Sequence, residues 1–289
     1  MGISRYLPNN PIRKFISTPG AMSIFREVGF IGDSLSSGEH EGFLNDTKTF
    51  HDYYEYSWGQ FIARRCGLKA YNFSQGGLKA STFFDYIQKE GCNPFVDEKR
   101  CQAYFIALGV NDLNHIDTYE DGFGSFDDVD FENEDNNKHS FVGQYVRIIQ
   151  KLRKFEPKCR IFVLTMPTGQ KEDKGAKIRA NKHRDFLLSL KKYFDFFYVI
   201  DLRKYAPIYG KKFRKKYFLG GHMSALGYLF TADMVIAYVD YIINRHPEDF
   251  AQIGFIGKGV YNSLCKWWVI WKLFNLEKVI SFVRLWIYI

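Results

Sequence analysis

Residues 28–38 read Val-Gly-Phe-Ile-Gly-Asp-Ser-Leu-Ser-Ser-Gly, a short apolar run that leads a serine into a turn of glycine and serine. An apolar run of this length bounded by glycine is typical of a buried parallel strand. Open α/β sheets bind ligands in the crevice at the carboxyl ends of such strands. The stretch therefore predicts Ser34 at a functional edge of a sheet. The alternative is an ordinary turn in which Ser34 or Ser36 caps the next helix.

Three further segments place small or polar residues where a strand ends or a helix begins. Residues 71–77 (YNFSQGG) and 107–112 (ALGVND) are predicted strand ends that run into glycine turns. Residues 220–228 (GGHMSALGY) place His222 in a glycine-rich loop just before a helix. These segments supply residues for nucleophilic catalysis in addition to the serine.

Together the four segments resemble the GDSL, or SGNH, family of serine hydrolases, whose sequence blocks carry a serine, a glycine, an asparagine and a histidine in that order. By this resemblance Ser34 is the nucleophile and His222 the general base. The backbone N–H groups of Ser34 and Gly77 and the side chain of Asn111 form the oxyanion hole. The resemblance covers about residues 27–244 and implies catalysis without a metal or an organic cofactor.

These residue types suit the cleavage of an ester. Serine is a poor nucleophile at neutral pH and needs a base within hydrogen-bond reach, and histidine changes charge near that pH. Attack on a carbonyl builds negative charge on oxygen, which preorganised donors must stabilise. The structural alternatives are that Gly77 permits a tight turn and that Asn111 caps a helix.

The chain departs from the family pattern at one position. The family usually has an aspartate three residues before the histidine, where this chain has Leu219. Because that acid holds the imidazole in one tautomer, we expect a Ser34–His222 dyad in which a main-chain oxygen near Leu219 or Gly220 accepts from the other ring nitrogen. The rival is a displaced carboxylate, supplied by Asp33, Asp112 or the acidic loop that follows.

Five apolar runs predict strands, at residues 28–32, 70–73, 103–109, 161–166 and 196–201. Helix-like stretches alternate with them, near residues 58–65, 81–89, 141–155, 180–193 and 225–243. Strict alternation predicts a parallel sheet covered by helices on both faces. The resemblance implies the flavodoxin-like, five-stranded, three-layer α/β/α arrangement of SGNH hydrolases. The expected domains are an N-terminal extension (1–25), a catalytic domain (26–255) and an aromatic, basic C-terminal extension (256–289).

Charge is unevenly distributed along this chain of formal net charge +8. Lysine and arginine crowd residues 203–216, ahead of His222, which favours anionic substrates or is simply a solvated basic face. Residues 117–135 are strongly acidic. They form a solvated loop or a lid, with Phe123, Phe126 and Phe131 as hypothetical acyl or sugar contacts. Basic charge without a recognised motif does not predict nucleic-acid binding.

Cysteine usage and the ends of the chain bear on its location. The 5 cysteines show no metal-ligand spacing and no disulfide framework, and residues 1–25 lack a secretory signal, which predicts a cytoplasmic protein. Residues 263–289 are apolar and aromatic, but charges interrupt them too often for a membrane span. An interfacial helix that touches the membrane, a segment that packs on the domain or on a dimer partner, and a dispensable extension all stay open. The oligomeric state is open as well.

The predicted function is hydrolysis of a carboxylic ester, with a small molecule or a glycan as substrate. A short acyl group on a sugar, such as an O-acetyl group, is the first expectation. The alternatives are a lipid-directed acylhydrolase, an acyltransferase and a catalytically weak binding protein that shares the fold.

Overall fold

The computed structural model describes residues 20–169 and 173–258. The strands are β1 (Glu27–Gly32), β2 (Glu39–Leu44), β3 (Thr47–Asp52), β4 (Lys69–Ser74), β5 (Ala103–Ala107), β6 (Arg160–Leu164), β7 (Phe197–Ile200), β8 (Phe218–Leu219) and β9 (His222–Met223). The α-helices are α1 (Ser34–Ser37), α2 (Trp58–Cys66), α3 (Phe83–Tyr86), α4 (Val110–Asn114), α5 (Phe141–Phe155), α6 (Lys174–Ser189), α7 (Leu202–Tyr205), α8 (Lys211–Tyr217), α9 (Ala225–Arg245) and α10 (Pro247–Phe250).

The predicted terminal extensions fall mostly on residues 1–19 and 259–289, which lie outside the described residues. The expected domain boundaries and the membrane contact through residues 263–289 therefore stay predictions.

The central sheet has the order β4-β1-β5-β6-β7, and its neighbouring strands are all parallel. This confirms the predicted five-stranded parallel sheet. The apolar runs of β5 and β6 continue beyond the strands, because residues 108–109 and 165–166 already belong to the turns at the sheet edge. The carboxyl ends of β4, β1 and β5 lie side by side, so the turns that follow them share one crevice.

Two hydrophobic clusters cover the two faces of this sheet. Along β1, Phe30 faces one cluster, in which Trp58 of α2 and Tyr228 of α9 pack. Ile31 faces the other, with Tyr145 of α5 and Phe186 of α6. Because successive side chains of a strand point to opposite faces, a strand buried on both faces reads as a continuous apolar run. The result is the expected three-layer α/β/α architecture.

Helix α9 has the length and apolar composition of a membrane span, but 72% of its most apolar window is buried inside the domain. Two other predicted helices differ from the structure. Helix α6 begins earlier than predicted, at Lys174, because Asp173 caps it by accepting from Ala176 N. The stretch at 81–89 forms a short 3-10 turn followed by α3.

A hairpin of β2 and β3 lies between α1 and α2, where the sequence did not predict strands. Its two-residue turn has positive φ angles of 49° at Asn45 and 62° at Asp46, as type I′ hairpin turns require. β2 is half-buried over Glu39–Gly42 and β3 is largely exposed, and both strands carry polar and charged side chains. They therefore lack the apolar run by which buried strands are detected.

The acidic segment at 117–135 is anchored to the helical layer. Glu134 is buried and accepts from Lys151 (2.8 Å) and Lys154 (3.0 Å) of α5. The three phenylalanines pack on the domain: Phe123 on Phe141, and Phe126 and Phe131 on Tyr193. These ring contacts hold the segment against the domain, and the lid hypothesis, with the rings as acyl or sugar contacts, stays a prediction.

Candidate active site

Ser34 is the first residue of α1, directly after β1. Asp33 caps this short helix, since its Oδ1 accepts from Leu35 N at 3.0 Å. A Cβ at Gly32 would lie 2.5 Å from Ser36 Cβ, so only glycine lets the helix fold back this closely on the strand end. The Gly-Asp-Ser sequence thus places the serine at the sheet edge, as predicted.

His222 begins β9, which pairs with β8 across the Gly220-Gly221 turn. The first turn of α9 is capped by Ser224, which accepts from Gly227 N. This arrangement directs the imidazole at Ser34, and the distance between Ser34 Oγ and His222 Nε2 is 3.0 Å. Ser34 is therefore within hydrogen-bond reach of a base, the arrangement that activates a serine.

The other ring nitrogen contacts a residue that the sequence did not single out. His222 Nδ1 lies 2.7 Å from Oε1 of Glu41, which is on β2 of the hairpin. This corrects the expected dyad, in which a main-chain oxygen near Leu219 or Gly220 accepts from Nδ1. A displaced carboxylate takes that position, but its source is the hairpin and not Asp33, Asp112 or the acidic loop.

Two glycines make room for this carboxylate. A Cβ at Gly220 would lie 2.0 Å from Glu41 Oε2, and a Cβ at Gly221 would lie 2.5 Å from Oε1. The backbone N–H of Gly221 also donates to Oε1 at 2.7 Å. The two glycines before the histidine are therefore the sequence feature that indicates close approach of another side chain to this turn. They do not indicate which residue supplies it.

Glu41 is held in its ionised form. Burial alone would raise the pKa of its carboxyl, but hydrogen bonds from Lys48, His222 and Gly221 outweigh burial and lower the pKa to about 2. Lys48 Nζ lies 2.8 Å from Oε2. A carboxylate with these partners can orient the imidazole and stabilise the imidazolium.

Asp33 and Asp112, the acids named from the sequence, lie elsewhere. Burial raises the pKa of Asp33 to about 7, and the charges of Asp112 and Glu39 add to that rise. Asp112 is fully buried and accepts from Ala80 N (2.7 Å) and from the hydroxyl of Tyr119. Both carboxyl groups therefore hold the loops around the site, and the structure gives neither a contact with His222.

Two of the three expected oxyanion donors, Gly77 and Asn111, lie on neighbouring turns. Gly77 is the third residue of the turn Gln75–Leu78, closed by a hydrogen bond from Leu78 N to Gln75 O (3.1 Å), and its φ of 74° favours glycine. Asn111 Nδ2 lies 3.4 Å from Asp33 Oδ2 and 3.4 Å from Leu78 O, between the serine turn and the Gly77 turn. These contacts are long for hydrogen bonds, so the amide keeps capacity for a stronger acceptor.

The turn that carries Asn111 rests on a buried histidine of α6. His183 Nε2 donates to Leu108 O at 3.1 Å, and a Cβ at Gly109 would lie 2.5 Å from that nitrogen. Gly109 has a φ of 135°, which an L side chain rarely adopts. Burial lowers the pKa of His183 to about 4, so the ring stays neutral at physiological pH.

We expect His183 to make folding stability depend on pH. The ordinary pKa is 6.5 and the folded value about 4, so between these values the unfolded chain takes up a proton that the folded protein refuses. The native protein should have a higher free energy of unfolding than His183→Gln, and this difference should be largest above pH 6.5. It should shrink by up to about 3 kcal/mol as pH falls towards 4. Urea unfolding of both proteins across this range measures the difference. A difference that does not change with pH would contradict a buried neutral imidazole.

A second carboxylate reaches the site from the same hairpin face. Glu39 Oε1 lies 3.0 Å from His222 Nε2, the nitrogen that also contacts Ser34. The ring of Phe50, on the facing strand, packs edge-on against the imidazole, with 5.7 Å between the ring centroids. Apart from Ser34, the side chains in contact with His222 are thus acidic and aromatic. The lysines and the arginine of α8 are solvent-exposed. The charged side chains that contact His222 are instead the carboxylates of Glu39 and Glu41.

An apolar cavity of about 80 Å³ lies near the carboxyl ends of β1, β5 and β6, lined by both sequence neighbours of Ser34 but not by Ser34 itself. Its walls include Leu35, Val110, Met166 and Met223, and it also borders Asp33. Pockets for drug-sized ligands start at about 300 Å³, so this cavity fits only a small apolar group. Within residues 20–169 and 173–258, no cluster of three or more His, Cys, Asp or Glu side chains could hold a metal ion.

Comparison with known proteins places this geometry in context. Residues 30–229 match the model of the GDSL-like lipase/acylhydrolase family. A family two carbohydrate esterase from Clostridium thermocellum, solved in complex with cellohexaose, has a TM-score of 0.54 at 16% identity over 76% of this chain and 65% of that chain. A carbohydrate esterase family 2 enzyme with a carbohydrate-binding domain, from Corynascus thermopiles (Myceliophthora fergusii), has a TM-score of 0.52 at 16% identity over 75% of this chain and 66% of that chain.

A protein from Lactobacillus plantarum has a TM-score of 0.52 at 11% identity over 77% of this chain and 98% of its own. This chain thus spans about two thirds of the length of the two esterases. At these identities the likeness is one of fold, and it agrees with the three-layer architecture. Comparison with curated protein sequences gives no match.

Proposed function

Because the chain belongs to the GDSL-like lipase/acylhydrolase family, whose members cleave ester bonds, we propose that it is a serine esterase that forms an acyl-enzyme on Ser34. The observation that carries this proposal is the continuous chain of contacts from Ser34 Oγ through His222 to Glu41, with distances of 3.0 and 2.7 Å. Such a chain turns a weak nucleophile into a reactive one.

In the first half of the reaction, Ser34 Oγ attacks the ester carbonyl carbon and passes its proton to His222 Nε2. The negative charge that develops on the carbonyl oxygen is stabilised by the N–H groups of Ser34 and Gly77 and by the amide of Asn111. When the tetrahedral intermediate collapses, the bond to the alcohol oxygen breaks and His222 gives its proton to that oxygen. The alcohol leaves, and the acyl group stays on Ser34.

In the second half, water replaces the alcohol. His222 takes a proton from the water, whose oxygen attacks the acyl carbon, and the proton then returns to Ser34 Oγ as the carboxylic acid leaves. Glu41 stays ionised and hydrogen-bonded to Nδ1 throughout, so that Nε2 is the nitrogen that exchanges protons.

We propose a short acyl group, such as acetyl, as the acyl portion, because the apolar cavity lined by Asp33 and Leu35, the sequence neighbours of Ser34, measures about 80 Å³. We propose a sugar hydroxyl as the alcohol portion. A structure with the same fold was solved with cellohexaose bound, which makes a sugar ester the first class to test.

A series of p-nitrophenyl esters from acetate to palmitate tests the acyl portion. We expect kcat/KM to be highest for acetate or propionate and to fall steeply for chains that exceed the cavity. A maximum at long chains would contradict the short-acyl proposal. Absence of turnover on every ester would contradict the esterase itself.

A lipid-directed acylhydrolase is the second candidate, and one observation favours it. Phe43 and Leu44 at the hairpin tip, Phe50 beside the imidazole and Leu219 on β8 are all solvent-exposed. Exposed apolar side chains near a catalytic site suit contact with a lipid surface. Maximal activity on long-chain esters in the same series would select this candidate.

A further inference from the structure

The position of Glu39 bears on the reaction itself. Its Oε1 and Ser34 Oγ both lie 3.0 Å from His222 Nε2. During ester cleavage that nitrogen must give its proton to the departing alcohol oxygen, so this oxygen has to come within hydrogen-bond distance of it. In the free protein, Glu39 Oε1 therefore already lies within the distance of Nε2 that the leaving alcohol oxygen must reach in the reaction.

Glu39 is built into this position. Its side chain is 13% exposed, and its backbone oxygen accepts from the hydroxyl of Tyr228 at 2.6 Å. A Cβ at Gly76 would lie 2.2 Å from Glu39 Oε2, so the carboxylate reaches the turn that carries Gly77. The absence of a side chain at Gly76 is what admits it.

The charges around Glu39 are mostly negative. Asp52 faces it in the antiparallel pair of the hairpin, and Glu41 is on the same face of the same strand. Lys48, the nearby cation of the hairpin, is paired with Glu41. Among residues 20–169 and 173–258, no lysine or arginine forms an ion pair with Glu39, and its contact is with the imidazole.

We propose that Glu39 is a specificity-determining residue that selects esters whose alcohol portion carries a positive charge, such as a protonated amine on a sugar or an amino alcohol. An incoming ester displaces Glu39 from the imidazole, and a cationic substituent on the alcohol gives the carboxylate a new partner. A neutral alcohol gives no such partner, and an anionic alcohol is repelled. This inference rests on the proposed esterase activity and names its substrate class.

The test compares two acetate esters of the same shape, acetylcholine and its uncharged carbon analogue, dimethylbutyl acetate. A unit charge within about 5 Å of a carboxylate near the surface of a protein changes kcat/KM by about tenfold or more. We therefore expect the native protein to prefer acetylcholine by at least about tenfold, with a smaller preference at high salt. Glu39→Gln should reduce the ratio to near one, and Glu39→Asp should retain a preference.

Glu55→Gln is the matched control, because Glu55 is an exposed carboxylate that pairs with Arg64; this variant should keep the native ratio. Each ratio is measured within one variant, so a general loss of activity does not affect it. A native ratio near one, or an unchanged ratio in Glu39→Gln, would overturn the inference while leaving the esterase intact. Failure of the native protein to hydrolyse p-nitrophenyl acetate would instead overturn the proposed function.

Discussion

Replacement of Ser34 by alanine should reduce kcat/KM for p-nitrophenyl acetate by about 10⁴-fold or more, because the acyl-enzyme cannot form without the hydroxyl. Labelling by a fluorophosphonate, which reacts with an activated serine, should disappear in the same variant. Steady-state hydrolysis and gel-based labelling measure the two effects. The unfolding midpoint should change little, because Ser34 Oγ is only partly buried.

Ser36→Ala is the matched control for this prediction. Ser36 is on the same short helix and is buried, but its side chain packs against Gly32 and away from the imidazole. It should keep activity and labelling near the native level. Equal labelling of Ser34→Ala and the native protein would show that another residue is the nucleophile. Absence of labelling in the native protein would favour a binding protein that retains the fold without the activity.

Replacement of Glu41 by glutamine should reduce kcat by about 10²- to 10⁴-fold, since a neutral amide can neither fix the imidazole tautomer reliably nor stabilise the imidazolium. KM should change less, because Glu41 contacts His222 and not the substrate. The amide also loses its ion pair with Lys48. A parallel measurement of unfolding therefore separates lost catalysis from lost stability.

Two further variants sharpen this result. Glu55→Gln, at an exposed carboxylate, should leave kcat unchanged. Asp112→Asn tests the acid that the sequence suggested; it should lower the stability of the loops more than it lowers kcat per folded molecule. A native rate in Glu41→Gln would mean that serine and histidine suffice without a carboxylate.

Because the pKa of Glu41 is low, we expect its ionisation to contribute little to the pH dependence of activity. The folded value of about 2 lies below the ordinary 4.5, so the carboxylate is fully ionised at every pH at which esterases are normally assayed. Its contribution to stability is complete above the ordinary value and is lost only as pH falls towards 2. Loss of activity in mildly acidic buffer would therefore have another origin.

Much of the fold could be predicted because four strands of the central sheet, β1, β5, β6 and β7, are buried on both faces. Such strands are continuous apolar runs, and β1, β4 and β5 each end in a recognisable turn that carries a small or polar residue. The placement of Ser34, Gly77 and Asn111 on adjacent turns follows from that parallel order. His222 could be recognised by its glycine-rich loop before a capped helix.

Glu41 and Glu39 could not be found in the same way. Their strand has no continuous apolar run, and in the sequence its charged residues look like those of any solvated loop. The contact between Glu41 and His222 joins residues that are 181 positions apart, and a pair so distant leaves no local pattern in one sequence. Asn45-Asp46 is a local feature that indicates a hairpin turn, and Gly220-Gly221 is one that indicates close packing of another side chain. Neither feature indicates that Glu41 and His222 are in contact.

The way the hairpin joins the domain makes it a self-contained insertion. Its two ends meet, since Tyr53 N donates to Gly38 O at 3.1 Å, so the flanking helices α1 and α2 would keep their places if the segment between them changed in length. Glu41, which orients the imidazole, and Glu39, which is proposed to select the alcohol portion, are therefore both carried by one replaceable segment. Grafting this one segment onto a relative of the same fold that lacks both residues would transfer them together, without any change to its central sheet.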